Sequence, residues 1–149
     1  KAIEIPNSVE SLSSGLHVIT FDPLNKKYFK KQYGVFSDCQ SLEKVVFSNN
    51  MSVINNRTFE NCSSLKAITI PENITKIEEY AFKDCPALKN ITIPKNVEFI
   101  ANNAFENCIS LDSIIIHDSL YIDANAFINT AWYNKQPNGC VYLNNILEY

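Results

Sequence analysis

The chain of 149 residues is short of glycine, with three, and carries one tryptophan, one methionine, two histidines and, at Arg57, a single arginine. So few glycines, with only six prolines, exclude a flexible linker, a low-complexity segment and a glycine-rich loop that could cradle a phosphate. No pure aliphatic run exceeds three residues, as at Ile114-Ile115-Ile116, so no membrane insertion is expected. A net charge of −3 with one arginine gives no basic balance overall, so no nucleic-acid partner is expected. His17 and His117 stand without a nucleophile or acid at motif spacing, so no catalytic triad is expected. Cys39, Cys62, Cys85 and Cys108 are each 23 residues apart, whereas zinc sites use ligand pairs roughly two to four residues apart. These absences describe a non-enzymatic chain without metal or cofactor.

What the sequence has in abundance is periodicity. Phe36, Phe59, Phe82 and Phe105 recur at 23 residues, with Phe127 one residue early, and Leu42, Leu65, Leu88 and Leu111 keep the same step as the cysteines. A period of this size means a solenoid, in which each repeat buries its apolar face against its neighbours. Within residues 65–87 the alternation Ile68-x-Ile70 points two side chains inward from a short strand. Pro71 and Pro94 follow the strand, where a missing N–H ends the ladder and turns the chain. Ile74 and Ile77 have helical or 3₁₀ spacing, and Ala81-Phe82 to Cys85 reads as a short helical turn. The expected fold class is α/β: a solenoid with a parallel sheet of short strands and short helical turns.

One domain spanning 1–149 is expected, with a partial N-terminal rung at 1–15, repeats at 16–127 and a C-terminal cap at 128–149. Ile3, Ile5, Val9 and Leu12 form the first rung, which reaches Leu16 seven residues early. Leu16, Ile19 and Phe21 open the next, whose return to Phe36 is three residues too long. The excess falls in Lys26–Lys31 and predicts a longer helix closed by Gly34. In the last rung Thr130 replaces the cysteine, and Asn144-Asn145 between two apolar pairs predicts a two-residue hairpin turn. Lys1-Ala2-Ile3-Glu4 already reads as a strand, so the expectation is a trimmed fragment or mature product.

The pattern Leu-x-x-Ile-x-Ile-Pro-x-x-Ile-x-x-Ile-x-x-x-Ala-Phe-x-x-Cys at residues 65–85 resembles the leucine-rich repeat of the BspA-like family. Thr130-Ala131-Trp132-Tyr133 followed by Gln136-Pro137-Asn138-Gly139 resembles the way many bacterial members close their array. The resemblance implies a curved, right-handed leucine-rich-repeat solenoid on a bacterial or protozoan cell-surface protein, extracellular, with a role in adhesion. It carries no catalytic motif.

The expected function is therefore recognition of a host or extracellular-matrix protein; the alternatives are a glycan-binding or substrate-positioning module and a structural spacer. Because Ile68 and Ile70 face inward, alternation throws Ala67 and Thr69 outward. The same holds for Val18 and Thr20, Lys44 and Val46, Asn90 and Thr92, and Ser113 and Ile115, which make the candidate partner-binding strip. A secondary candidate is the basic run Lys26, Lys27, Lys30 and Lys31, interleaved with Tyr28 and Phe29, for an anionic glycan or acidic partner. The cysteine column reads as buried core thiols, and Asp38, Asn61, Asp84 and Asn107 as turn-capping side chains rather than a calcium column.

Overall fold

The computed structural model describes residues 1–5, 12, 16–22, 27–136, 142–143 and 146–147, and for the strands at 16–22, 27–33, 142–143 and 146–147 it describes the backbone pairing. In chain order the strands begin with β1 (Ala2–Glu4), β2 (Leu16–Asp22), β3 (Lys27–Tyr33), β4 (Lys44–Val46), β5 (Val53–Ile54), β6 (Ala67–Ile68) and β7 (Lys76–Ile77). They continue with β8 (Asn90–Thr92), β9 (Phe99–Ile100), β10 (Ser113–Ile115) and β11 (Tyr121–Ile122). A four-residue helix, α1 (Ala131–Asn134), and the pair β12 (Tyr142–Leu143) and β13 (Ile146–Leu147) follow.

The result is a parallel β-solenoid with two strand columns. The front column holds the parallel ladders β1-β4-β6 and β8-β10, with β6 packed beside β8. Register advances one repeat per rung, as in Lys44↔Ala67 and Asn90↔Ser113. Val45, Ile68 and Ile91 are buried between exposed neighbours, as the alternation predicts. Pro71 and Pro94 close their turns by accepting from the N–H of Ile74 and Val97, both at 3.1 Å.

The second column corrects one expectation. Ile74 and Ile77 do not lie on a helical turn; Lys76–Ile77 is a strand in a parallel sheet ordered β11-β9-β7-β5. Two apolar residues three apart fit either geometry, and what decides is the neighbouring rung. Thr75 N–H donates to the Ser52 carbonyl and Glu78 N–H to that of Ile54, at 2.8 and 2.9 Å. An isolated helical turn would leave most of those groups unpaired.

The segments that carry phenylalanine inward are likewise successive tight turns rather than helix. Thr58 N–H meets the Asn55 carbonyl, Glu60 that of Arg57 and Cys62 that of Phe59. Arg57, Tyr80 and Asn103 take left-handed φ near 58–59°, as do Asp38, Asn61, Asp84 and Asn107 at 58–62°, and each one interrupts right-handed helix.

At the N-terminus two partial rungs become one. β1 pairs directly with β4, Ile3 opposite Val45, which is 42 positions away rather than 23, so 19 residues are extra. They are the segment around β2 and β3, an antiparallel hairpin with register from Leu16↔Tyr33 to Asp22↔Lys27. The predicted helix at Lys26–Lys31 is therefore wrong where it is described: Lys27–Lys31 is strand, and Lys26 lies outside the described residues. Cross-strand pairing along seven residues outweighs local helix preference, and the Tyr28, Phe29 and Tyr33 content suits a strand. Gly34 does not close a helix. It lies where an added Cβ would sit 1.9 Å from the Arg57 carbonyl oxygen, so the two rungs touch backbone to backbone.

Phe36, Phe59, Phe82, Phe105 and Phe127 form a continuous ring stack, centroids 5.0–5.5 Å apart and planes within 8–12°. Trp132 closes it edge-on against Phe127 at 5.5 Å. Thr130, fully buried in the cysteine column's last place, caps α1 by accepting from Tyr133 N–H at 3.0 Å. The C-terminal hairpin pairs as expected, Leu143 opposite Ile146.

Candidate functional surfaces

Alternation on the front column leaves a row of exposed side chains. Lys44, Val46, Ala67, Thr69, Asn90, Thr92, Ser113 and Ile115 all face out. Val18 and Thr20 do not join them: they lie on β2, opposite Lys31 and Phe29 in the hairpin. Ala2 and Glu4 of β1 take that place in the row. Five rungs at strand spacing make a strip about 19 Å long. Its only large apolar members are Val46 and Ile115, 44% and 61% exposed.

Paired charges border the strip. Glu43 accepts from Lys66 at 2.9 Å and from the amino terminus at 3.1 Å, and Lys135 pairs with Asp112. The Lys66 hydrogen bond, then that of the N-terminal ammonium, holds the Glu43 carboxyl below its ordinary range. The strip holds one cation, Lys44, and one anion, Glu4, among mostly short uncharged side chains, and can bind by area and shape. Of the secondary candidates, Lys27, Lys30 and Lys31 lie opposite Asp22, Ile19 and Val18 on the hairpin, apart from the strip.

The cysteine column is an element of the scaffold. Cys62, Cys85 and Cys108 are free, fully buried thiols, each donating to the carbonyl of the phenylalanine one rung earlier: Phe36, Phe59 and Phe82, at 3.2, 3.2 and 3.1 Å. Burial, then the neighbouring Cys85 and Cys39, pushes the Cys62 thiol up to about 12. The hydrogen bond with Cys108, then burial, raises Cys85 well above the ordinary thiol value. Cys39 departs from the expectation of a wholly buried column. It is half-buried, beside an apolar cavity of about 320 Å³ lined also by Ile3, Phe36 and Leu42. Cys140 lies outside the described residues.

The Asx column has a plain structural use. Asn61 Nδ2 donates to Asp38 Oδ1 and Asn107 Nδ2 to Asp84 Oδ1, both at 2.7 Å, and Asn129 Nδ2 donates to Asn107 Oδ1 at 2.9 Å. Their left-handed backbone, tolerated best by Asn and Asp, aims each N–H along the solenoid: Asp38, Asn61, Asp84 and Asn107 donate to carbonyls of the following rung. The Asp–Asn alternation is a donor–acceptor code between rungs.

Reading 74–77 as helical hid a second outward face. Lys76, Phe99 and Tyr121 are in register on it, with Ile77 and Ile100 buried behind. The signal was in the sequence: Lys76, Phe99 and Tyr121 each precede an isoleucine, as Val53 does on β5.

The family described as "BspA type Leucine rich repeat region" matches residues 27–135 in six copies. A leucine-rich cell surface protein from Faecalibacterium prausnitzii shares 32% identity over 79% of this chain and 26% of its own, with a TM-score of 0.63. A leucine-rich repeat protein from Eubacterium ventriosum shares 25% over 97% of this chain and 34% of its own, TM-score 0.70. A leucine-rich repeat protein from Bacteroides ovatus, at 21% identity and TM-score 0.54, has the same fold. The chain therefore spans about a quarter to a third of the length of these structures. None of the functionally curated proteins matches it.

Proposed function

Because this chain belongs to the BspA-type leucine-rich repeat family, we propose that it is a non-enzymatic, extracellular protein-binding module of a cell-surface protein, serving adhesion. Leucine-rich repeat proteins of this kind are generally interaction scaffolds, and one similar structure is of a cell surface protein. The observation that carries the reading is the front strip. Its side chains are exposed on a backbone held by inter-rung hydrogen bonds, and of the charges that border it Glu43, Lys66, Asp112 and Lys135 are already paired. A rigid row of mostly short side chains, Ala67, Thr69, Thr92 and Ser113 among them, loses little entropy on contact. About 19 Å long and about 10 Å wide, three residues at roughly 3.3 Å each, it presents on the order of 200 Å² against the ~800 Å² per partner of a stable interface, so a single copy binds weakly and several copies gain by avidity.

The test is surface plasmon resonance against a panel of immobilised extracellular-matrix proteins. Thr69→Glu, Thr92→Glu and Val46→Glu should each abolish a response seen with the parent chain while leaving the circular dichroism spectrum unchanged. Lys95→Glu, an exposed position off the strip, serves as the silent control. Lys83 would be a poor one, because it is paired with Glu106 at 2.9 Å. Burial opposes the Lys83 ammonium, but Glu106, Asp84 and Glu60 prevail and hold its pKa above the ordinary value. Binding that survives all three strip variants refutes the assignment. If it then disappears on neutralising Lys26, Lys27, Lys30 and Lys31, recognition belongs to the hairpin.

A further inference from the structure

The outer face of the second sheet gathers groups that lack partners. Phe99 and Tyr121 stack at 5.3 Å and 11°, and the Lys76 ammonium lies 5.6 Å over Phe99. Both faces of Phe99 are thereby occupied, but Tyr121 ends the column and is 61% exposed. Two residues along the same strand direction stands Asp123, whose carboxylate has no ion pair or hydrogen bond among the described residues.

Beside it a cavity of about 300 Å³ opens over Ala101, the small residue between Glu78 and Asp123. Its wall includes Glu79, also without a partner for its carboxylate, and Asn56, whose amide oxygen is buried and accepts no hydrogen bond among the described residues. Glu78 is already engaged by Lys76 at 3.3 Å and by Asn56 N–H at 3.1 Å. One lysine therefore faces three carboxylates, of which Glu79 and Asp123 are unpaired, so the lining carries a net negative charge.

We propose that this face, from Glu79 and Asn56 across Ala101 to Asp123 and Tyr121, seats an arginine side chain of a protein partner. A guanidinium offers donors only, its plane stacks on an open aromatic ring, and it pairs with carboxylates in a forked geometry. A pyranose could also lie on Tyr121, but its hydroxyls would not answer the net negative charge. The inference rests on the protein-binding reading yet concerns a different face from the front strip, so the two fail separately.

The experiment is a titration of the ¹⁵N-labelled chain with N-acetyl-arginine amide, with N-acetyl-citrulline amide as the neutral isostere and a methyl glucoside in parallel. Arginine should shift the amides of Glu79, Ala101 and Asp123 saturably, and added salt should weaken the effect. The citrulline compound and the glucoside should leave them in place. The double variant Glu79→Gln/Asp123→Asn should weaken binding at least tenfold with the rest of the spectrum unchanged, and Tyr121→Ala should weaken it separately. Equal shifts with citrulline, shifts here with the glucoside, or undiminished arginine binding in the double variant would each overturn the proposal. Thr69→Glu, the front-strip variant, should not alter this titration whether or not it abolishes partner binding.

Discussion

Replacing Phe82 with alanine tests the rung-by-rung core. Phe82 is fully buried, with Phe59 stacked on one face at 5.3 Å and Phe105 on the other at 5.1 Å. Truncation removes an aromatic side chain from a site its neighbours cannot refill, because their own rings are held by the repeat. The loss is about 3–5 kcal/mol, the usual range for a buried phenylalanine. With a urea slope of about 2 kcal/mol per molar, the midpoint should fall by about 2 M at unchanged slope. Phe36 supplies the internal comparison: it is half-buried and stacks on one neighbour, Phe59 at 5.5 Å. Phe36→Ala should lose about half as much, since one ring face rather than two loses its contact. Unfolding is followed by fluorescence and circular dichroism together, because coincident curves license the comparison in a repeat protein. A Phe82→Ala loss below about 1 kcal/mol, or equal losses at the two positions, would refute the stacking argument.

Four further outcomes follow from the same geometry. A thiol reagent at neutral pH should modify Cys39 and leave Cys62, Cys85 and Cys108 untouched until denaturant is added; a disulfide between column members would contradict this. With Cys62 raised from 9.0 to about 12, the folded chain keeps a proton the unfolded chain releases, so stability should be full below pH 9 and decline toward pH 12. Gly34→Ala should destabilise by about 2 kcal/mol or more by driving Cβ into the Arg57 carbonyl, and hydrogen exchange should rise first in the N-terminal rung. Asn107→Asp sets a carboxylate against Asp84 where a 2.7 Å hydrogen bond stood, which should cost about 1–3 kcal/mol at pH 7. That loss should shrink as acid is added and one carboxyl of the pair takes up a proton, so an unchanged deficit at low pH would exclude charge repulsion as its cause.

The sequence by itself determined the repeat and its interior. The phenylalanine, cysteine, leucine and inward isoleucine columns were legible because burial at each position recurs with the period, and a period needs no knowledge of distant partners. The C-terminal hairpin was legible because Asn144-Asn145 is local turn chemistry between local strands. Tertiary structure decided what depended on a neighbour. Lys76–Ile77 became a strand because adjacent rungs supply its hydrogen bonds. Asp38, Asn61, Asp84 and Asn107 took left-handed backbone because their N–H groups are needed by the following rung. Lys27–Tyr33 left its helical reading for a seven-residue pairing with β2, and Ile3 reached Val45 across that insertion. The strip lost Val18 and Thr20 for the same reason: which residues face a partner depends on strand pairing as well as on alternation, and pairing across 42 positions is set by the packed rungs.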